Sequence, residues 1–399
     1  MQEITLNITE SALIGILKAF ATDSKPEFNT ESVDLRALFS LAKMHSVIGI
    51  VAYILNKHSC LPEGELGQKY MHEYDRTIMQ MSSREFSAAR VIEQLRSENI
   101  PHILFKGMKV SEAYPVAELR TYGDVDIIIR KEDEKRLCEL LISQGYSHNV
   151  ADAGVVNEFK KNREHYEFHT NLNVSDVSDS RYFSQMWENT VEIQGCSFGF
   201  NHNFHLSYLI THLEKHVHGR GAGLRMYLDI ALYISKYSEE IDLNAVKNTL
   251  TDCGLGEFFS TVLYVCSRWF DLAVPAWVTP LSDDVYDKMC MFTLDGGVFG
   301  ERCQGKRIEL AVRRELESGK KAVRLRIFMR RVFPPFTELC RLYPCFSGKP
   351  LLAPVAWMRH VIGFLKGGKL SKVKEITTVS VDDASAQKDF LRSIGSTRE

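Results

Sequence analysis

Asp124-Val125-Asp126-Ile127-Ile128-Ile129 is the stretch on which the reading of this chain turns. Side chains alternate faces along a strand, so Asp124 and Asp126 point one way while Val125 points into a core. Two close carboxylates repel in a low-dielectric setting and call for a positive partner. Mg²⁺ suits such oxygens, and proteins commonly hold it through one or two carboxylates together with substrate phosphates. Phosphate chemistry is therefore the first expectation. The plainer alternative is a strand end with two solvated aspartates, and the neighbouring segments decide between them.

Upstream, Ile103-Leu104-Phe105 is a short apolar run that ends at Lys106-Gly107. That junction reads as a strand end opening a helix, where backbone N–H groups can hold phosphate and glycine permits close approach. Lys106 adds a point charge. Downstream, Tyr166-Glu167-Phe168-His169 alternates so that Glu167 and His169 share one face. Glu167 would be a third carboxylate, as a ligand in a two-ion site or as a general base. The alternatives are a simple turn at Lys106-Gly107 and an edge-strand glutamate facing water.

An apolar fraction of 45% and a charged fraction of 25% are those of an ordinary globular protein. The net charge of −2 argues against a general nucleic-acid coat. Nine cysteines without C-x-x-C pairs, and no secretory leader, predict a reduced cytoplasmic protein. The apolar run near Phe258–Phe270 is broken by Ser260, Ser267 and Arg268 and is too short to span a bilayer.

Residues 1–100 read as a helical domain. It holds a helix capped by Thr9, a second near 33–55 and a long third near 65–98. Residues 101–200 read as a small α+β core: strands at 103–105 and 124–129, a helix at 132–144 stopped by Gly145, then strands near 146, 166–169 and 191–200. Residues 201–370 return to helix, with elements near 203–218, 224–237, 242–252 and 256–270. The polar segment 371–399 is expected to be a disordered tail.

The run from Leu104-Phe105-Lys106-Gly107 through Tyr114, Leu119-Arg120 and Gly123-Asp124-Val125-Asp126-Ile127 to Gly145-Tyr146, with Glu167-Phe168-His169 beyond it, resembles the uncharacterised bacterial nucleotidyltransferase family, a relative of the polymerase beta-like nucleotidyltransferases. Leu41–Val47, Leu224-Arg225 with Asp229-Ile230-Ala231, and Phe333-Pro334-Pro335 extend the likeness over about residues 35–365. It implies a mixed-sheet nucleotidyltransferase core flanked by helical domains. It also implies transfer of an NMP group from an NTP, ATP first, to an unidentified acceptor with release of pyrophosphate. Asp124, Asp126 and Glu167 would be the catalytic residues and the ligands of two Mg²⁺ ions, or Mn²⁺. Lys106, Gly107, Arg120, Arg225 and His212 would bind the nucleotide. Met108 stands where the wider superfamily has serine, so backbone amides would serve there in place of a hydroxyl. The alternative reading is a non-catalytic nucleotide-binding or scaffold module.

Three further features weigh less. His212 and His216 lie four apart on one helix, but Leu213 stands where a zinc protease needs glutamate. Gly219-Arg220-Gly221-Ala222-Gly223 lacks the preceding strand of a dinucleotide motif. The basic stretch 302–374, including Arg313, Arg314, Lys320, Lys321, Arg324, Arg326, Arg330 and Arg331, could dock RNA or simply form a solvated face.

Overall fold

A computed structural model describes residues 6–28, 32–151, 155–172, 174, 181–219, 221–296, 333–336, 339, 350–366 and 381–396. The chain divides into two compact units, Met1–Phe299 with Ile394–Glu399, and Gly300–Ser393. The basic stripe between Arg313 and Arg331 lies outside the described residues.

The first unit begins with α1 (Ile8–Thr22). Asn7, two residues before the expected Thr9, caps it. The Asn7 side chain accepts from the Glu10 amide at 2.9 Å, and the Glu10 carboxylate accepts from the Asn7 amide at 3.0 Å. A capping box of this kind satisfies two orphan donors, which a lone threonine at the next turn could not do. The single helix expected near 33–55 is two, α2 (Leu35–Met44) and α3 (Ile48–Lys57). Ser46 breaks the run with φ 55°, and its carbonyl accepts from the Thr121 hydroxyl at 3.1 Å. The break is tied to the site loop and could not be seen in the apolar pattern. The 33-residue α4 (Glu65–Ser97) follows.

Strand β1 (His102–Leu104) runs into α5 (Gly107–Ser111). After them come β2 (Val125–Ile129), α6 (Glu134–Ser143), β3 (Ser147–Ala151), β4 (Val156–Lys161) and β5 (Glu164–His169). The short α7 (Arg181–Ser184) precedes β6 (Thr190–Gln194) and β7 (Ser197–Phe200). The strands form one mixed sheet in the order β3-β4-β5-β2-β1-β7-β6, with β2 parallel to β5 and β1 parallel to β7. This is the α+β class that the order of elements predicts. Strand β4 was not expected: Asn157, Lys160 and Lys161 hide a strand of which Val156 and Phe159 are the buried apolar part.

All five residues of β2 are buried. Val125, Ile127 and Ile129 pack with Val91, Ile92 and Leu95 of α4 and Leu137 and Leu141 of α6 on one sheet face. Each such side chain gains roughly 1.5–3 kcal/mol from burial. Ile128 faces the other way and packs with Ile103 and Phe105, and with Phe204 and Tyr208 of α8 (His202–Gly219). Alternation therefore places Asp126 on the α8 side, under a helix rather than in open solvent.

The unit is completed by α9 (Leu224–Lys236), α10 (Leu243–Asp252) and α11 (Gly256–Phe270), within a residue of the expected bounds, and by a helix at Asp283–Gly296. Helix α1 packs on both α9 and α11, which joins the N-terminal helices to those beyond the sheet.

In the second unit Leu339 and Ala356 are buried against Phe336 and Trp357, whose indole donates to the Pro334 carbonyl at 2.7 Å. The tail expected to be disordered carries a helix at Val381–Ser393. No glycine or proline interrupts that stretch, and Arg392 lies in its last turn, where the helix dipole favours a cation. Among the described residues no helix is long and apolar enough to cross a membrane.

Candidate active site

The parallel pairing of β2 with β5 sets Asp126 directly beside Glu167. Asp124 lies one step before β2, so three carboxylates converge at the strand ends. They line a cleft of about 460 Å³ together with Lys106, Gly107, Arg120, His212, His216 and Arg225. All eight residues singled out from the sequence as catalytic or nucleotide-binding thus border one cavity.

Asp126 Oδ1 accepts from Lys106 Nζ at 2.7 Å and lies 2.9 Å from His169 Nε2. Burial alone would raise the Asp126 carboxyl, but the Lys106 ammonium and the His169 imidazole outweigh it and hold the group well below the usual carboxylate range. Among the described residues Glu167 has no such cation in hydrogen-bond reach. Its Oε2 is 3.7 Å from His169 Nε2 and its Oε1 is 3.8 Å from His165 Nε2. Burial, with Asp124 and Asp126 as like-charged neighbours, pushes Glu167 up to about 7. Among the described residues, two groups of side chains present ligand atoms mutually within 4.8 Å: Asp126 with Glu167 and His169, and Asp124 with His165 and Glu167. Carboxylate oxygens clustered in this way suit a hard divalent cation, and Glu167 belongs to both groups.

The raised Glu167 carboxyl gives a pH dependence with a definite sign. Between about 4.5 and 7 the folded, metal-free protein binds this proton more tightly than the unfolded chain does. Stability of the metal-free protein therefore falls as pH rises through that window. A cation competes with the same proton, so divalent-metal affinity should rise up to roughly tenfold per pH unit below about 7 and level off above it. The thermal shift produced by a fixed Mg²⁺ or Mn²⁺ concentration, followed from pH 5.5 to 8.5, checks this. A flat profile would remove Glu167 from the ligand set.

Lys106 caps α5 with φ 50° and ψ −128°, an unusual backbone for a residue with a side chain. A buried histidine supports it: His205 Nε2 accepts from the Lys106 amide at 3.2 Å, and its Nδ1 lies 2.9 Å from the Tyr233 hydroxyl. Burial pushes His205 down to about 3, so it stays neutral and able to accept. The Lys106 amide is thus engaged within the protein, while its ammonium reaches Asp126. Helix α5 has only five residues, so the phosphate-holding potential of this corner rests mainly on side chains.

Arg120 donates to Asp229 through Nε at 3.0 Å and Nη2 at 2.8 Å, and the Tyr114 hydroxyl donates to the same carboxylate at 2.6 Å. Its remaining nitrogen, Nη1, is buried and has no hydrogen-bond partner among the described residues. Arg225 donates through Nη1 to the carbonyl and hydroxyl of Thr121, leaving its buried Nε equally unpartnered. Two guanidinium donors on the wall of one cleft therefore lack acceptors, and an anionic ligand would supply them. His212 lies 3.2 Å from His216, nitrogen to nitrogen, and burial with Lys106 nearby holds it neutral.

A Cβ on Gly107 would stand 3.0 Å from Arg120 Nη1 and 3.1 Å from Tyr122 Cγ. Gly107→Ala should displace both side chains by a few tenths of an ångström and cost about 1–3 kcal/mol by overpacking. The expected signature is nucleotide affinity, measured by calorimetry, lowered several-fold. Unchanged affinity would mean that a nucleotide does not pass this wall.

His169, His165, His205 and Asp229 carry no role in the sequence reading, although each has one here. Alternation already set His169 on the Glu167 face. Nothing in the sequence tied Asp229 to Arg120 or His205 to Lys106.

A second cleft, of about 820 Å³, lies beside α4 and is bordered by Arg76, Ser83, Arg84, Arg163, Glu164 and His165, among others. His165 is the residue through which it meets the carboxylate cluster.

Comparison with protein-family models matches residues 31–271 to a family described as uncharacterised nucleotidyltransferase. Comparisons with curated proteins and with solved structures return no significant match.

Proposed function

The chain belongs to the uncharacterised nucleotidyltransferase family, and we propose that it is an active, metal-dependent enzyme that moves an NMP group from an NTP to an acceptor and releases pyrophosphate. The observation that supports this most is the single cleft holding Asp124, Asp126 and Glu167 with two guanidiniums that have donors to spare. Nucleotidyl transfer needs little covalent help from protein. It needs the triphosphate held in line and its developing charge offset.

The residues divide that work. Asp124, Asp126 and Glu167 would hold divalent cations, Mg²⁺ or Mn²⁺, which when bound polarise the α-phosphate and lower the barrier to attack. Lys106 is the counter-charge of Asp126 in the metal-free protein. A cation held by that carboxylate would leave the Lys106 ammonium available to offset triphosphate charge. Arg120 Nη1 and Arg225 Nε donate to phosphate oxygens from fixed positions, each already anchored by its other nitrogens. Glu167 also lines the cleft beside Asp124 and Asp126, where it would take the proton of the attacking hydroxyl.

Calorimetry with ATP and the other NTPs in Mg²⁺, followed by a pyrophosphate-release assay across hydroxyl- and phosphate-bearing acceptors, tests the proposal. Binding with release of pyrophosphate is the expected result. Tight NTP binding without turnover on any acceptor would favour the non-catalytic nucleotide-binding module, and absence of NTP binding would overturn both.

A further inference from the structure

The two halves of the carboxylate cluster are not supplied alike. Around Asp126 the protein provides its own cation, Lys106 at 2.7 Å, and an imidazole hydrogen bond from His169. Around Asp124 and Glu167 it provides neither. Asp124 forms no ion pair among the described residues. His165 Nε2, 3.8 Å from Glu167 Oε1, is too far for a hydrogen bond, and it is buried with no partner. A buried nitrogen left unsatisfied is unfavourable. The like charges of Asp124 and Glu167, set side by side, add to that cost. One object removes both: a cation bound by two oxygens and one nitrogen.

We propose that His165 is a metal ligand, completing with Asp124 and Glu167 a mixed nitrogen–oxygen site that selects a first-row transition ion such as Mn²⁺ over Mg²⁺. This rests on the metal-dependent reading above and goes beyond it by naming a ligand outside the carboxylate set. Strand geometry supports it, because His165 and Glu167 are two apart on β5 and share a face, with the ligand atoms of all three residues within 4.8 Å of one another. The donor set gives the selectivity. Imidazole adds affinity for transition ions, whereas Mg²⁺ keeps to oxygen and holds its waters. The place gives the role. Asp124 and Glu167 line the nucleotide cleft, while His165 borders the second cleft. An ion at Asp124, His165 and Glu167 therefore stands where the two cavities meet, on the side from which an acceptor held beside α4 would approach the nucleotide.

The test is Mn²⁺ binding to the full chain, measured by loss of the free-ion electron paramagnetic resonance signal, with Mg²⁺ affinity obtained by competition. His165→Gln and His165→Ala are compared with the wild type, and thermal unfolding confirms that each variant is folded. The expected result is a 10–100-fold loss of Mn²⁺ affinity at one site in both variants, with Mg²⁺ affinity changed less than threefold. Spin-echo modulation from directly bound nitrogen should weaken in step. Equal losses for both ions, or no loss for either, would overturn the proposal, because a merely structural histidine does not distinguish them. If Mn²⁺ binds and NTP turns over but His165 is without effect, only this inference fails. If no divalent ion binds the wild type at all, the metal-dependent reading fails with it.

Discussion

Asp126→Asn is expected to abolish NTP turnover, by on the order of 10³-fold or more, and to destabilise the fold as well. The two effects have separate causes. Loss of activity follows from losing the carboxylate that lies between Lys106, His169 and Glu167. Loss of stability follows because Lys106, only 17% exposed, keeps a charge that Asp126 no longer offsets. Breaking a buried pair from one side costs up to about 3–5 kcal/mol. Asp124→Asn separates them, since Asp124 has no ion pair among the described residues. It should lose turnover to a similar order while unfolding within about 1 kcal/mol of the wild type. Pyrophosphate release and denaturant unfolding, run on both variants, give the comparison. Full turnover in Asp126→Asn would remove the catalytic assignment.

Asp229→Ala should be the most destabilising single change near the cleft. Asp229 receives three hydrogen bonds, two from Arg120 and one from Tyr114, and all three side chains are buried. Removing it leaves a guanidinium and a phenol without acceptors, at a cost of roughly 3–5 kcal/mol. The double variant Asp229→Ala/Arg120→Met should lose less than the two single changes summed, because the orphaned charge goes too. Arg120 Nη1 abuts Gly107, so residual folded Asp229→Ala should also bind NTP more weakly. Urea midpoints for the three variants settle the matter, and an Asp229→Ala protein within 1 kcal/mol of the wild type would contradict the assignment. In acid, Asp126 acts in the same direction. Its carboxyl is held low by Lys106, so the pair contributes stability above the ordinary range near 3.8 that is lost as pH falls below it.

Legibility from sequence followed the range of the interactions. Helices with one apolar stripe, α8 to α11 above all, were placed within a residue or two, because their pattern is local. The alternation in Asp124–Ile129 and Tyr166–His169 gave the carboxylate face for the same reason. What failed depended on partners elsewhere. Ser46 breaks a helix in a place where its carbonyl meets Thr121. Strand β4 reads as polar because it gains its identity from pairing on both sides. Asn7 caps α1 through a reciprocal bond that the Thr9 reading overlooked.

The sequence by itself determined which residues are candidates: three carboxylates in two stretches of strand period, a lysine before a glycine, and two arginines and a histidine on later elements. Side-chain type and strand period are local properties, and they survive without knowledge of the fold. Only the tertiary structure decided how that chemistry is held. Parallel pairing of β2 with β5 sets Asp126 beside Glu167, α8 brings His205 under Lys106, and α9 brings Asp229 to Arg120. These contacts join residues 41, 99 and 109 positions apart. Their geometry follows from how the sheet and its helices pack, and no local pattern encodes it.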